Sequence, residues 1–314
     1  MGFFWVFAEL RHSPFSNLCF PLFSCFSPPQ VDYKALYHWA SAELLVETST
    51  LTFSEDVRKH RDGKPDCVGR VFGRESDAYV SVRPCGKGEP VCSDEWTNDG
   101  EPYFFLYQTV FKRIKLRLPL TGFERALLIE INVAPAQLHP NSWAFMRAFS
   151  ILCNHFGHLS SVDVFLHFFE AKSLGKNLWV SFNSVAGRVL LTLYQQSYKG
   201  FKGKFFKVCC TNHDRTLLDG FPLYWVKKLE FKKPRTLEEL TPQDRELCQD
   251  LASLGAVFNT VQLMKHEYDV EALKGYIGTD FTLSCLVMLV TILLCLYILP
   301  LHTLMFTLVF WIAF

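Results

Sequence analysis

Two prolines, Pro135 and Pro140, constrain the fold of this chain more than any other feature. Proline fixes φ and has no N–H to donate, so no helix runs through both. The stretch Ile131–Phe149 must therefore be a linker that turns into a helix start. Asn141 or Ser142 is a natural N-cap for a helix over Trp143–Phe156, with Trp143, Met146, Phe149 and Cys153 in one apolar stripe. Gly157 fits the stop. Upstream, Thr121 can cap a helix to about Asn132, with Phe123, Leu127, Leu128 and Ile131 on one face. Downstream, Ser160 and Asp163 have the spacing of a capping box for a third helix, whose face is Val164, Phe165, Phe168 and Phe169.

Strand composition surrounds this helical centre. Ala78–Val82, Pro102–Tyr107, Leu178–Phe182, Lys204–Cys210 and Leu223–Val226 are short apolar or aromatic runs bounded by turn residues. Val189–Tyr194 reads as strand or as buried helix, and Val110–Leu118 as a half-exposed strand or a helix end. Three-four spacing from Val31 to Leu45 predicts a helix, and Ser54 an N-cap for another. Thr241-Pro242-Gln243-Asp244 predicts a helix with Thr as N-cap and Pro at its first position, running to about Leu254.

The expected fold class is α+β, a mixed helical and short-strand domain followed by a C-terminal transmembrane helix. The expected divisions are an apolar irregular arm at 1–30, a helical and loop segment at 31–74, a domain at 75–255, a linker at 256–280 and a hydrophobic tail at 281–314. That tail contains no Asp, Glu, Lys or Arg. A bilayer core needs about 20 apolar residues, so 281–300 is read as one span, which leaves the N-terminal bulk cytosolic. The alternative is an apolar end unrelated to the domain, with the protein cytoplasmic or nuclear. Glu9 and Arg11 follow the short N-terminal apolar run, which is not a signal-peptide pattern. Neither Val6 nor Phe7 is the Ser or Thr of a myristoylation signal.

Chemistry-bearing patterns are sparse. Eleven cysteines are scattered without a framework, which suits a reducing compartment. Gly86-Lys87-Gly88-Glu89 lacks the rest of a phosphate loop. Cys209-Cys210-Thr211-Asn212-His213 lacks the third Cys of a zinc knuckle, and Cys85 and Cys92 lack a second pair. No Asp-Asp pair, nucleophile elbow or zinc-protease frame occurs. No catalytic residue, metal ligand or cofactor is assigned, and the expected function is non-enzymatic.

One stretch has the makings of a binding surface. Tyr198, Lys199, Phe201, Lys202, Lys204 and Lys207 interleave cations with rings. Ammonium groups neutralise phosphates and rings stack on bases, as single-stranded RNA or DNA requires. The bland alternative is a strand pair with core Phe and solvated Lys. A second basic group follows at Lys227, Lys228, Lys232, Lys233 and Arg235.

Asn132-Val133-Ala134-Pro135-Ala136-Gln137-Leu138-His139-Pro140-Asn141-Ser142-Trp143-Ala144-Phe145 also resembles a known family, the plant gypsy-type transposon proteins. Supporting matches are Val82–Cys85 with Glu89–Cys92, Leu118–Glu124, Phe169–Lys172, Trp179–Phe182, Ser197–Lys202 and Phe221–Trp225. They cover about residues 75–255. The resemblance implies the gag-side region of a retroelement polyprotein, with no catalytic residues to carry over. The expected role is therefore gag-like assembly or nucleic-acid packaging, with self-association. The alternative is a membrane-anchored cytosolic interaction protein that meets the lipid bilayer through 281–300.

Overall fold

The computed structural model describes residues 32–61, 80–94, 100–175, 178–210 and 220–278. They build an α+β body. A three-stranded antiparallel sheet has the order β1 (Val80–Arg83), β5 (Phe205–Cys210), β2 (Tyr103–Tyr107). Val80 pairs with Cys210, and Tyr107 with Phe205. A separate hairpin joins β3 (Phe169–Leu174) to β4 (Trp179–Ser184), with Phe169 opposite Ser184. All five residues of β2, Tyr-Phe-Phe-Leu-Tyr, are buried, the pattern of a strand covered on both faces.

The helices follow their caps. After α1 (Tyr33–Leu36), α2 (Ala42–Leu45), α3 (Ser54–Arg61) and α4 (Gln108–Lys112) comes α5 (Gly122–Ile131). Thr121 opens α5 with a full capping box, its hydroxyl accepting from the Glu124 amide while Glu124 accepts from the Thr121 amide at 2.8 Å. Asn132, left-handed at φ 50°, closes it. A single 3-10 turn at Pro135–Gln137 packs on β2 and leads into α6 (Pro140–His155). Here the N-cap is His139, whose Nδ1 accepts from the Asn141 amide, with Pro140 at the first helical position. Asn141 and Ser142 were expected in that capping role; both are buried inside the helix with other partners. Trp143, Met146, Phe149 and Cys153 are buried as one stripe, and Phe145, Ala148, Ile151 and Leu152 bury the flanks as well. The chain continues through α7 (Val162–Phe168), β3 and β4 to α8 (Pro242–Ser253, capped by Thr241) and α9 (Thr260–Lys265).

Several expectations are corrected. The helix expected over Val31–Leu45 is two single turns, because Ser41 caps a new start after the bend at Tyr37–Ala40. Ser161, and not Ser160, caps α7; Ser160 bonds Ser150 instead. Phe169 leaves the helix and starts β3. Val189–Tyr194 forms no strand, only a bridge between Leu191 and Phe258. The Leu223–Val226 run forms no strand either, since a side chain, described below, meets its backbone. The linker expected at 256–280 continues the core in its described part: Phe258, Leu263, Leu273 and Ile277 are buried there, and residues 270–278 are helical. Tyr37, Leu44, Leu51 and Val57 from the 31–74 segment join the same core.

That core is aromatic. Phe165 stacks on Phe169 with centroids 4.6 Å apart and meets Phe149 and Phe182 edge-on. Such pairs add about 0.5–1.5 kcal/mol each beyond area burial. Among the described residues no helix is long and apolar enough to cross a membrane. The expected span at 281–300, the remainder of the 281–314 tail and the 1–30 arm lie outside the described residues.

Three polar side chains of the Pro-punctuated stretch tie distant loops to this core. Gln137 is fully buried. Its Oε1 accepts from the Ala134 and Val226 amides at 3.2 and 2.9 Å, and its Nε2 donates to the Leu178 and Val226 carbonyls at 3.3 and 3.0 Å. All four hydrogen-bonding positions of the amide are filled. Asn141 does the same for the 195–198 loop, accepting from the Gln195 amide and the Tyr198 hydroxyl and donating to the Gln195 carbonyl. Ser142 Oγ accepts from the Phe182 amide of β4 at 3.0 Å. Replacing Gln137 with Leu keeps the volume and orphans several backbone groups, so chemical denaturation should show a loss of about 3 kcal/mol.

Candidate nucleic-acid interface

The basic-aromatic stretch divides into two populations. Tyr198, Phe201, Lys202 and Lys207 turn inward. Tyr198 is buried and its hydroxyl donates to Asn141 Oδ1 at 2.9 Å, with burial raising its pKa. Phe201 packs edge-on against Tyr107, Trp179, His139 and Tyr198. Both rings expected to stack on bases are thus packed into the protein. Lys202 pairs with Glu47 and lies 5.2 Å from the centroid of the Trp179 ring. Lys207 projects from β5 to Glu89 at 2.7 Å, and its ammonium sits 4.5 Å from the Tyr103 ring centroid. Glu89 is only 3% exposed and also accepts from the Gly86 amide at 2.7 Å. These two lysines serve the fold.

Lys199 and Lys204 face the other way. Gly200, left-handed at φ 68°, turns the chain between them. The Lys204 amide donates to Phe201 O, and Lys204 O accepts from the Gln108 amide, which fixes the loop against α4. The result is a cleft of about 150 Å³ between α4 and the 198–204 loop. Lys112, Arg113, Lys199 and Lys204 line it, with Gln108 and Thr109 as the polar floor. All four cations are exposed. Arg113 donates to the neutral Gln195 side chain at 2.7 Å. No carboxylate lines the cleft. Among the described residues, Lys112, Lys199 and Lys204 have no ion-pair partner.

Lys112 and Arg113 escaped sequence reasoning. They fall in Val110–Leu118, which reads as a half-exposed strand or a helix end; the helix end is what forms here, with Lys112 ending α4 and Arg113 capping it. What brings them to Lys199 and Lys204 is the pairing of Tyr107 with Phe205, about a hundred residues apart in the chain. The second basic group is mostly neutralised. Lys232 and Arg235 share Glu130, Arg235 also holds Asp163, and Lys228 pairs with Glu230. The Glu130 carboxyl is held below its usual range, first by the Lys232 hydrogen bond. Lys227 lies 5.5 Å from the Trp39 ring centroid.

The cysteines of the sequence motifs sit in apolar surroundings. Cys85 and Cys92 are buried, and burial pushes the Cys92 thiol up to about 12. Cys209 is buried in β5, while Thr211–His213 lie outside the described residues. Among the described residues no group of three or more His, Cys, Asp or Glu is placed to hold a metal ion.

Residues 106–173 match a family model described as "Putative gypsy type transposon". The match makes this segment similar to that family over about a fifth of the chain. It runs from the end of β2 through α7 into β3 and contains the whole Pro-punctuated stretch. Of the cleft it includes Lys112 and Arg113; Lys199 and Lys204 lie beyond it. No curated protein and no solved structure matches the chain.

Two measurements test this division. Lys207→Ala leaves Glu89 buried without its cation and should cost about 3 kcal/mol in denaturant, whereas Lys204→Ala should stay within about 0.5 kcal/mol of wild type. Burial, reinforced by the Lys202 charge, lowers the His139 pKa to about 4. Between about pH 6.5 and 4 the unfolded chain therefore binds the extra proton, and stability falls as pH falls through that window. His139→Asn retains an N-cap acceptor and should flatten that dependence in urea titrations at stepped pH.

Proposed function

We propose that this is a retroelement-derived, non-enzymatic protein that holds the phosphate backbone of a nucleic acid, as a gag-like assembly or packaging unit would. One observation carries the reading: four exposed cations line a single cleft that no carboxylate enters. Each phosphate neutralised there releases condensed counterions, so affinity is electrostatic and largely independent of sequence. The inward packing of Tyr198 and Phe201 favours phosphate contact over base stacking. The match of residues 106–173 to a transposon family model is consistent with a nucleic-acid context and supplies no residue roles.

The test is RNA binding across a salt series. If all four cations contact single-stranded RNA, log affinity should fall with log salt at a slope of about −3. Lys199→Ala with Lys204→Ala should make that slope shallower by about 1.4 and leave the melting temperature unchanged. Different homopolymers should bind within a few fold of each other. Absence of salt-sensitive binding in the wild type removes the proposal.

A further inference from the structure

A second pocket lies away from the cationic cleft. It opens between the end of α7, the 187–190 segment and α8, and holds about 320 Å³. Its space exists because small residues line it: Gly187, Ala252, Gly255 and Ala256. Gly187 and Gly255 are left-handed, at φ 77° and 59°, and an added Cβ at Gly187 would meet nothing within 4 Å. The walls are apolar, from Phe168, Leu190 and Leu251. Val189, Leu237 and Val257 are about half exposed at its edge, an apolar rim left open to water.

One charge enters this apolar site. Arg188 lines the pocket, and its Nη1 donates to the carbonyls of His167 and Arg235 at 3.1 and 3.0 Å. Nη1 also lies 3.2 Å from His167 Nδ1, and these contacts hold the guanidinium in place. They leave Nε and Nη2 without an acceptor among the described residues. His167 also lines the pocket, but burial lowers its pKa and its Nδ1 lies 3.0 Å from the Arg235 carbonyl, so it adds no charge at neutral pH. The exposed Glu238 carboxylate feels the Arg188 charge, but its hydrogen bonds are to Thr236 and its own backbone. A volume at the lower end of the ligand-pocket range, apolar walls and one positioned cation together specify a ligand class.

We propose that this pocket binds a small amphipathic anion, its apolar chain between α7 and α8 and its carboxylate on Arg188. A planar guanidinium with free N–H donors matches a carboxylate in charge and in geometry. The cleft at Lys199 lacks apolar walls of this kind and would not select such a ligand.

The experiment is calorimetric titration of the full chain with decanoate below its micellar range, and with decan-1-ol as its neutral counterpart. Decanoate should bind saturably and at least tenfold more tightly than decan-1-ol. Ala252→Trp fills the mouth from an exposed helix position and should weaken decanoate at least tenfold without lowering the melting temperature. Val257→Glu, also at an exposed position, should weaken decanoate selectively and leave decan-1-ol binding unchanged. No saturable decanoate binding, equal binding of the alcohol, or wild-type binding by either folded variant overturns the proposal.

Discussion

The buried amide of Gln137 is the interaction on which the rest of the structure depends. A side-chain amide in an apolar core costs several kcal/mol unless its donors and acceptor are all met. Here they are met by backbone from three places: its own 3-10 turn, the turn that enters β4, and the segment at Val226. Only four residues on, Asn141 fastens the 195–198 loop in the same way, and Ser142 fastens β4. The two prolines make this possible. They keep residues 135–140 out of one continuous helix, so these short polar side chains reach separate parts of the chain instead of the backbone one turn away. Apolar burial drives the collapse; these bonds select which loops pack where.

The cationic cleft follows from that arrangement. Asn141 holds Gln195 and Tyr198, and Gln195 in turn accepts from Arg113. The loop that carries Lys199 and Lys204 is therefore positioned by the same stretch that starts α6. Lysines from one short run then diverge in use. Lys207, at the level of Glu89 on β5, neutralises a buried carboxylate, while Lys204, one residue before the strand, points to water. Burial of the partner, more than the spacing of the lysines, decides which of them remain open to a ligand.

Much of the local structure was legible in the residues. Thr121 and Thr241 cap where their spacing predicts, the α6 stripe is buried, and aromatic runs become β2, β4 and β5. The misreadings share a physical origin. Leu223–Val226 has strand composition, but its backbone pairs with Gln137 and not with a neighbouring strand. Phe169 continues a helical face in sequence, yet β3 recruits it opposite Ser184. For the candidate site, the lysine run was visible, whereas Lys112 and Arg113 join it only through the long-range pairing of β2 with β5. Which rings were core and which lysines were paired depended on Glu47, Glu89, Trp179 and Asn141, all distant in the chain.

Native-state hydrogen exchange measures the dependence on this hub most directly. The amides of Ala134, Phe182, Gln195 and Val226 donate to its three side chains, and for Gln195 and Val226 the acceptor belongs to a residue more than fifty positions away. If the hub holds the fold together, these four amides exchange only through global unfolding, with the same free energy as the amides at the centre of α6. Exchange of the Gln195 and Val226 amides at the rates of exposed loops, while α6 stays protected, would contradict it.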